Sequence, residues 1–199
     1  RFHAIEEKYH RDAWKNKKGD TLTLKNGDGD KIQLTREQAM GVWATWKREH
    51  SVADRETHHL DQGGILLQQE KKIFKKTYAQ DSAFRIGTAE MVEIDNWLTQ
   101  DQKNYVDEVV SYLSNDMAEL GNITSNALHG YSKFGEGYYY PFRTSDAFRP
   151  TKIGKDDKAM PLKLMGFTKS VRSKSNAPVI VTDFTSTASD HINSMLNYY

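Results

Sequence analysis

The feature that most constrains this chain is a long amphipathic segment that begins at Thr99 and continues to about Gly130. Apolar residues recur along it every three or four positions, which is the spacing of one face of an α-helix. Thr99 suits the N-cap position, and Asp101 suits the positive end of the helix dipole. The stripe consists of Val106, Val109, Val110, Leu113, Met117, Leu120 and Ile123. It predicts one long helix that buries one side in a core.

The stretch before this helix predicts a mixture of helices and a small β component. Residues Phe2 to Lys17 have helical spacing, and Gly19 ends the run. Residues 21–24 and 32–34 alternate around Asn26–Asp30, a pattern typical of a β-hairpin. Thr35 and Gln38 have the spacing of a capping box that opens a helix to about Glu49. We expect residues 1–64 to pack on the remainder.

Further patterns complete a fold prediction that is mainly α with a small β component. Residues 65–67 and 178–181 have the composition of short strands, and Thr88 is predicted to cap a helix that ends at Trp97. A last helix is predicted to begin at Thr182 or Asp183. Residues 65–199 would then form a helical core with an aromatic and basic excursion. We expect one compact domain of an α+β type, organised around the long central helix.

Composition excludes several classes of protein. The chain has 199 residues, enough for one core, and no cysteine, which excludes disulfides, thiolate metal sites and cysteine nucleophiles. It has no apolar run long enough to cross a bilayer, so we expect no membrane partner. The first residues mix charges and lack an initiator methionine, which favours a piece of a longer protein without a signal peptide.

Charge is unevenly distributed along the chain, although the formal net charge is only +1. Residues 90–120 contain eight acidic residues and one basic residue, Lys103. Residues 143–174 contain nine basic and three acidic residues. Two interpretations stay open: the basic segment packs against the acidic helix, or one of the two faces a partner.

An aromatic run precedes the basic segment, and we take the junction as the candidate interaction surface. Pro141 forces Tyr140 out of the helical region, so the run is expected to be extended. A long excursion without secondary structure is usually functional, mobile or held by a partner. The candidate residues are Tyr139, Tyr140, Phe142, Arg143, Arg149, Lys152, Lys169 and Arg172.

Two stretches weakly resemble metal-binding sequence motifs. Counted from Asn26, calcium-ligand types fall at the first, third and fifth positions, and Glu37 falls at the twelfth. Lys31 occupies the place where an EF-hand loop needs glycine, so a plain hairpin turn is favoured. His58 and His59 could contribute to a metal site with Asp61, but no additional ligand at a recognisable spacing supports that. We therefore predict no metal and no cofactor.

Several stretches together resemble a known family. They are 43–49 and 59–64, the acidic helix that leads into Gly130 and Tyr131, residues 139–142, 166–169 and 176–178, and Asp190-His191-Ile192. Together they resemble the large polyvalent protein-associated domains, which occur in long multi-domain proteins of phages and conjugative elements. The resemblance covers roughly residues 34–199. The resemblance implies that the partners are other modules of the parent polyprotein, or phage and host proteins. It also implies a cytoplasmic or virion-associated location. It supplies no catalytic residues.

Three functions follow as hypotheses. The first is a non-enzymatic structural or protein-interaction domain of a mobile-element polyprotein, because no P-loop, H-E-x-x-H or G-x-S-x-G pattern is present. The second is a nucleic-acid-binding module that uses residues 143–174 and Lys71 to Lys76, with DNA as partner. The third is a hydrolase that uses Glu90 and Glu93, or Glu136 beside the tyrosines. We favour the first.

Overall fold

A computed structural model describes residues 1–14, 19–27, 29–51, 64–73, 76–79, 83–135, 137–142 and 178–198. The helices are α1 (Phe2–Lys8), α2 (Arg36–Ser51), α3 (Thr88–Trp97), α4 (Gln100–Tyr112), α5 (Ala118–His129) and α6 (Phe184–Tyr198). The strands are β1 (Thr21–Lys25), β2 (Lys31–Thr35), β3 (Ile65–Gln68), β4 (Glu70–Ile73), β5 (Lys76–Ala79), β6 (Phe84–Ile86) and β7 (Val179–Ile180). The prediction of a mainly helical α+β fold is confirmed.

The N-terminal helix is shorter than predicted. Helix α1 ends at Lys8, His10 takes a left-handed conformation with φ of 49°, and a 3-10 turn covers Arg11–Ala13. The side chains that motivated the longer helix still reach the core. Tyr9 and Trp14 both pack edge-on against Tyr105 of α4, with ring centroids 6.0 and 5.4 Å apart. The chain therefore bends at His10 and keeps its apolar side inward.

The predicted β1–β2 hairpin is confirmed. Leu22 pairs with Leu34 and Leu24 pairs with Ile32. The alternation buries Leu24, Ile32 and Leu34. The hairpin leads directly into α2, and the predicted capping box is present: the Thr35 N–H donates to Gln38 Oε1 at 3.1 Å. Its second bond runs from the Gln38 N–H to Thr35 Oγ1 at 3.3 Å.

A second, three-stranded sheet joins the middle of the chain to its C-terminal part. Strand β3 lies between β6, which is antiparallel to it, and β7, which is parallel. The β7 pairing is extended by a bond from the Val181 N–H to the Gln68 carbonyl at 2.9 Å. Both predicted strands, at 65–67 and 178–181, are confirmed. Strand β7 delivers the chain to α6, whose first residue is Phe184.

The central helix is confirmed, but it is interrupted by a π-helical turn. Thr99 caps α4 as predicted, since its side chain accepts from the Gln102 N–H. Between α4 and α5, residues Leu113–Met117 form one turn of π-helix. A π-turn closes its hydrogen bonds five residues back and so holds one more residue than an α-turn. Every side chain beyond Met117 is rotated relative to the uniform helix that the sequence predicted.

Helix α2 is the most enclosed element that the structure describes. Every residue from Ala39 to Thr45 is buried, which is the pattern of a helix that is covered on all sides. It contacts α3, α4, α6 and β2. The hydrophobic core is continuous, and it includes Phe2 and Ile5 from α1, the hairpin, α2, the central helix and α6.

Helix α3 begins one residue away from the predicted cap. Gly87, rather than Thr88, occupies the N-cap, and its N–H donates to Glu90 Oε2 at 2.8 Å. Met91, Ile94 and Leu98 are buried, as their helical spacing predicts.

Candidate interaction surface

The aromatic run lies in an extended segment along the central helix. The Tyr139 N–H donates to Ser114 Oγ at 2.9 Å, so the segment is fixed at the π-turn. The Tyr138 hydroxyl donates to Asp107 Oδ1 at 3.5 Å. Burial of Tyr138, with the Asp107 carboxylate beside it, raises the pKa of the Tyr138 hydroxyl. The segment therefore contacts both α4 and the π-turn.

Tyr140 belongs to the core, and its place among the predicted surface residues is a correction. Only 2% of its surface is exposed, and its ring stacks on Phe184 of α6 at 5.2 Å. Pro141 sets the extended backbone, but alternation along that backbone decides which ring goes inward. Tyr140 therefore serves packing rather than contact with a partner.

Tyr139 and Phe142 lie nearer the surface, each against one polar side chain. The Tyr139 ring is 5.3 Å from the His191 ring of α6, and 36% of the residue is exposed. Burial lowers the pKa of His191 to about 4, so this imidazole is neutral at neutral pH. The Arg48 guanidinium lies 4.6 Å from the centre of the Phe142 ring. The five basic members of the predicted surface, Arg143, Arg149, Lys152, Lys169 and Arg172, lie outside the described residues.

The C-terminal half of the central helix is packed by its own continuation. Gly130 ends α5 with φ of 75°, a left-handed cap that glycine adopts at little cost. The chain then turns back, and the Phe134 ring packs on Gly121, where an added Cβ would lie 2.6 Å from it. Asn122 holds the turn through both the N–H and the carbonyl of Phe134. Ser125 adds a bond to the Tyr131 carbonyl at 2.8 Å.

An apolar stripe on α5 is left outside. After the π-turn the residues that face inward are Met117, Gly121 and Ser125, all of which are buried. Leu120, Ile123 and Ala127 share the opposite side by their spacing of three and four residues. Leu120 is half-buried, Ile123 is 55% exposed and Ala127 is exposed. We call these three residues the α5 outer stripe. The prediction that Ile123 faces the core is wrong, whereas Leu120 is half-buried and still packs against the core at the edge of the stripe.

Two acidic residues of α4, Asp107 and Glu108, are paired with lysines of α2 and of the N-terminal part of the chain. Glu108 accepts from Lys8 Nζ at 2.6 Å and from the Tyr9 hydroxyl at 2.8 Å. The hydrogen bond from Lys8 holds the pKa of Glu108 below its usual value. Asp107 pairs with Lys47 at 2.7 Å. Arg1 also pairs with Asp116 of the π-turn.

Lys47 joins several elements at one point. Its Nζ lies 4.5 Å from the centre of the Trp43 ring and 5.4 Å from that of Tyr138. The Trp43 indole N–H donates to Asp95 of α3 at 2.9 Å, and Lys103 pairs with the same carboxylate. The hydrogen bond from Lys103 lowers the pKa of Asp95. These contacts account for Asp95, Lys103 and Asp107 as structural residues.

A buried polar network was not foreseen from the sequence, and its centre is Glu37. This side chain, at the start of α2, is 2% exposed. Its Oε2 accepts from the Thr185 N–H at 3.0 Å, and its Oε1 accepts from Thr185 Oγ1 and from Arg11 Nε, each at 3.1 Å. The carboxylate thereby satisfies a free donor at the N-terminus of α6, where the helix dipole favours negative charge. Thr185 also contacts the Tyr105 hydroxyl at 3.0 Å.

The same network argues against the calcium hypothesis, because Glu37 was the twelfth residue of the proposed loop. Both of its oxygens are occupied, and residues 31–35 form strand β2 instead of a loop. The Asp30 N–H donates to Asn26 Oδ1 at 2.8 Å, as in an ordinary hairpin turn. Within the described ranges no cluster of three or more His, Asp or Glu residues could hold a metal ion. His58, His59 and Asp61 lie outside those ranges.

A small cavity lies between α2, β7 and Tyr140, with a volume of about 10 Å³, about the space of one water molecule. Among the described residues the buried Tyr140 hydroxyl has no hydrogen bond of normal geometry. Burial raises the pKa of Tyr140, and the nearby Thr187 side chain opposes this rise. The space is too small for a substrate.

Of the carboxylates that the hydrolase hypothesis named, the two that the structure describes do not line this cavity. Glu90 is engaged in the cap of α3, Glu93 is exposed, and Glu136 lies outside the described residues.

None of the helices in the described ranges combines the length and apolar content that crossing a bilayer requires.

No family model, no curated protein and no solved structure matches this chain. The resemblance to the large polyvalent protein-associated domains stays a prediction from the sequence. The fold and the surface define an α+β domain with a single continuous core and an exposed apolar stripe on its central helix.

Proposed function

We propose that this chain is a non-enzymatic protein-interaction domain of a large mobile-element polyprotein, and that the α5 outer stripe contacts the partner. The observation that carries this proposal is the exposure of Ile123 in a row with Leu120 and Ala127. Covering apolar side chains at helical spacing with another protein surface removes them from water, which lowers the free energy of the complex. The partner is an apolar surface of another protein, in the first place another module of the parent polyprotein.

Two further observations support an interaction role over catalysis. Lys8 and Lys47 form ion pairs with Glu108 and Asp107 of α4. The cavity beneath Tyr140 has room for only one water molecule. A general acid or base needs a cleft and a free titratable group within reach of a substrate. Glu37 is buried but fully engaged, so its role in the proposal is to fasten α6 to α2.

The test uses Ile123→Gln, with Val92→Gln as the matched control. Val92 lies on α3 and is 53% exposed, so the two variants make the same chemical change at similar exposure. Binding of the adjoining modules of the parent chain, measured by calorimetry, should weaken about tenfold or more for Ile123→Gln and stay unchanged for Val92→Gln. Equal behaviour of the two variants would contradict the proposal, as would an enzymatic activity that a single substitution abolishes.

One observation favours the alternative of a nucleic-acid-binding module. Lys8, Lys47 and Lys103 already pair with Glu108, Asp107 and Asp95. These carboxylates therefore do not need residues 143–174 for neutralisation. The alternative assigns the basic residues Lys152, Lys169 and Arg172 to phosphate contacts. Its test is DNA binding that weakens with salt and that is lost when these three residues are replaced by glutamine.

A further inference from the structure

The hydroxyl of Tyr140 is buried in the core, and among the described residues it has no hydrogen-bond partner of normal geometry. Only 2% of Tyr140 is exposed, so bulk solvent does not reach this group. Buried polar groups in folded proteins are almost always hydrogen-bonded to protein atoms or to ordered water, because an unpaired group costs free energy. The Tyr140 hydroxyl therefore calls for a partner inside the core.

This hydroxyl borders the small cavity between α2 and β7. Tyr140 and Gly41 both line the cavity, and a Cβ added at Gly41 would lie 3.4 Å from the Tyr140 hydroxyl. The volume of the cavity is about 10 Å³. A cavity of about this volume holds one water molecule and nothing larger.

A second polar atom borders the same space from another part of the chain. The carbonyl oxygen of Thr182, in the connection between β7 and α6, lies 3.1 Å from the same Cβ position at Gly41. The side chains of Gln38 and Thr45 add polar groups to the lining. A buried water molecule stays bound when about two to four polar partners surround it. The cavity therefore has the polar lining that a water site needs.

Gly41 keeps this space open. Glycine in the interior of a helix is less favourable than alanine, so its position within α2 calls for a reason in the packing. An alanine side chain would lie in tight contact with the Thr182 carbonyl and beside the Tyr140 hydroxyl. The absence of a side chain at Gly41 thus lets the β7–α6 connection approach α2 and leaves room between the two oxygens.

We propose that this cavity binds one ordered water molecule, which accepts a hydrogen bond from the Tyr140 hydroxyl and donates one to the Thr182 carbonyl. Burial raises the pKa of Tyr140, so the hydroxyl is protonated at neutral pH and has a hydrogen to donate. The carbonyl can only accept. A water molecule accepts one bond and donates another, so it matches both groups.

The water joins segments that are distant in sequence. It links the aromatic run to the β7–α6 connection beside α2. Tyr139 and Phe142 lie on either side of Tyr140 in the sequence and nearer the surface, so the bond that holds the Tyr140 hydroxyl also holds their positions. The inference concerns how the aromatic run is held, and it does not depend on the partner of the α5 outer stripe.

The first test is a crystal structure of the unchanged protein at a resolution that shows ordered water. It should contain one water molecule about 2.5 to 3.0 Å from both the Tyr140 Oη and the Thr182 carbonyl oxygen. In solution, NMR should show a nuclear Overhauser effect between a long-lived water and the Gly41 Hα protons. Both readouts use the unchanged protein, so neither depends on a variant that folds.

The second test compares two buried tyrosines. Tyr140→Phe keeps the ring and removes the donor, so the water and its NMR signal at Gly41 should be lost. The matched control is Tyr105→Phe, because Tyr105 is fully buried and its hydroxyl contacts Thr185 away from the cavity. The control should keep the water. Thermal unfolding monitored on both variants checks the fold.

Four outcomes would overturn the inference. They are a dry cavity in the unchanged protein, a direct bond from the Tyr140 hydroxyl to the Thr187 side chain, a water that survives in Tyr140→Phe, and an equal loss of the water in Tyr105→Phe. The Ile123→Gln protein should keep the water, so failure of the protein-interaction proposal is scored separately.

Discussion

Helices α4 and α5 are two halves of one central helix with the same kind of apolar spacing, yet they are packed differently. In α4 the stripe Val106, Val109 and Val110 is fully buried. Helices α1 and α2 contact this half. In α5 the inward positions are the small residues Gly121 and Ser125, and the chain that follows Gly130 covers them.

The difference arises at the π-turn, Leu113–Met117. In a uniform α-helix the residue seven positions after Leu113, which is Leu120, would continue the buried row. The extra residue of the π-turn replaces it with Gly121. This one change in helical hydrogen bonding therefore turns Ile123 and Ala127 toward the surface.

The largest expected effect contrasts these halves directly. Leu113→Ala, at a residue that is 1% exposed, should lower the free energy of unfolding by about 2 to 5 kcal/mol because it leaves a cavity. Ile123→Ala, beyond the π-turn, should change it by no more than about 0.5 kcal/mol. Urea denaturation of both variants measures the contrast. Similar losses in the two variants would break the comparison.

The next effect concerns His191 of α6, whose ring lies against the Tyr139 ring beside the π-turn. Its pKa in the folded state is about 4, below the ordinary histidine value of 6.5, because burial disfavours the imidazolium. The unfolded chain binds this proton first, so stability is full above pH 6.5 and falls as the pH drops toward 4. The slope should reach about 1.4 kcal/mol per pH unit.

His191→Gln should flatten this slope in urea titrations repeated across the same pH window. Val92→Gln is the control, because it introduces the same side chain at an exposed position without removing a titratable group, and it should leave the slope unchanged. A slope that survives in His191→Gln would mean that other groups govern the acid sensitivity.

A smaller effect tests how α5 is packed. Gly121→Ala should destabilise the protein by about 1 kcal/mol, because the new Cβ meets the Phe134 ring and this clash outweighs the better helix propensity of alanine. In a Phe134→Ala background the same change should instead stabilise by up to about 1 kcal/mol. The double-mutant cycle from thermal unfolding gives the coupling. An absence of coupling would show that Phe134 does not pack on Gly121.

Predictions that depend on local sequence patterns were the most successful. The β1–β2 hairpin, the capping box at Thr35, the N-cap at Thr99, and the strands β3 and β7 all depend on residues close in the chain, and all are confirmed. The left-handed His10 and the π-turn carry no such local signal. Burial of Glu37 and Tyr140 depends on Thr185 and Phe184, which are distant in sequence. Such pairings cannot be obtained from periodicity alone.

The central claim is that the π-turn turns Ile123 and Ala127 outward and leaves Leu120 half-buried at the edge of the core. The chain suits a direct test because it contains no cysteine. Single variants Leu113→Cys, Met117→Cys, Leu120→Cys and Ile123→Cys can be labelled with a thiol reagent under native conditions. The structure predicts fast labelling at position 123, intermediate labelling at 120, and strong protection at 113 and 117. Protection of Ile123→Cys equal to that of Met117→Cys would contradict the account.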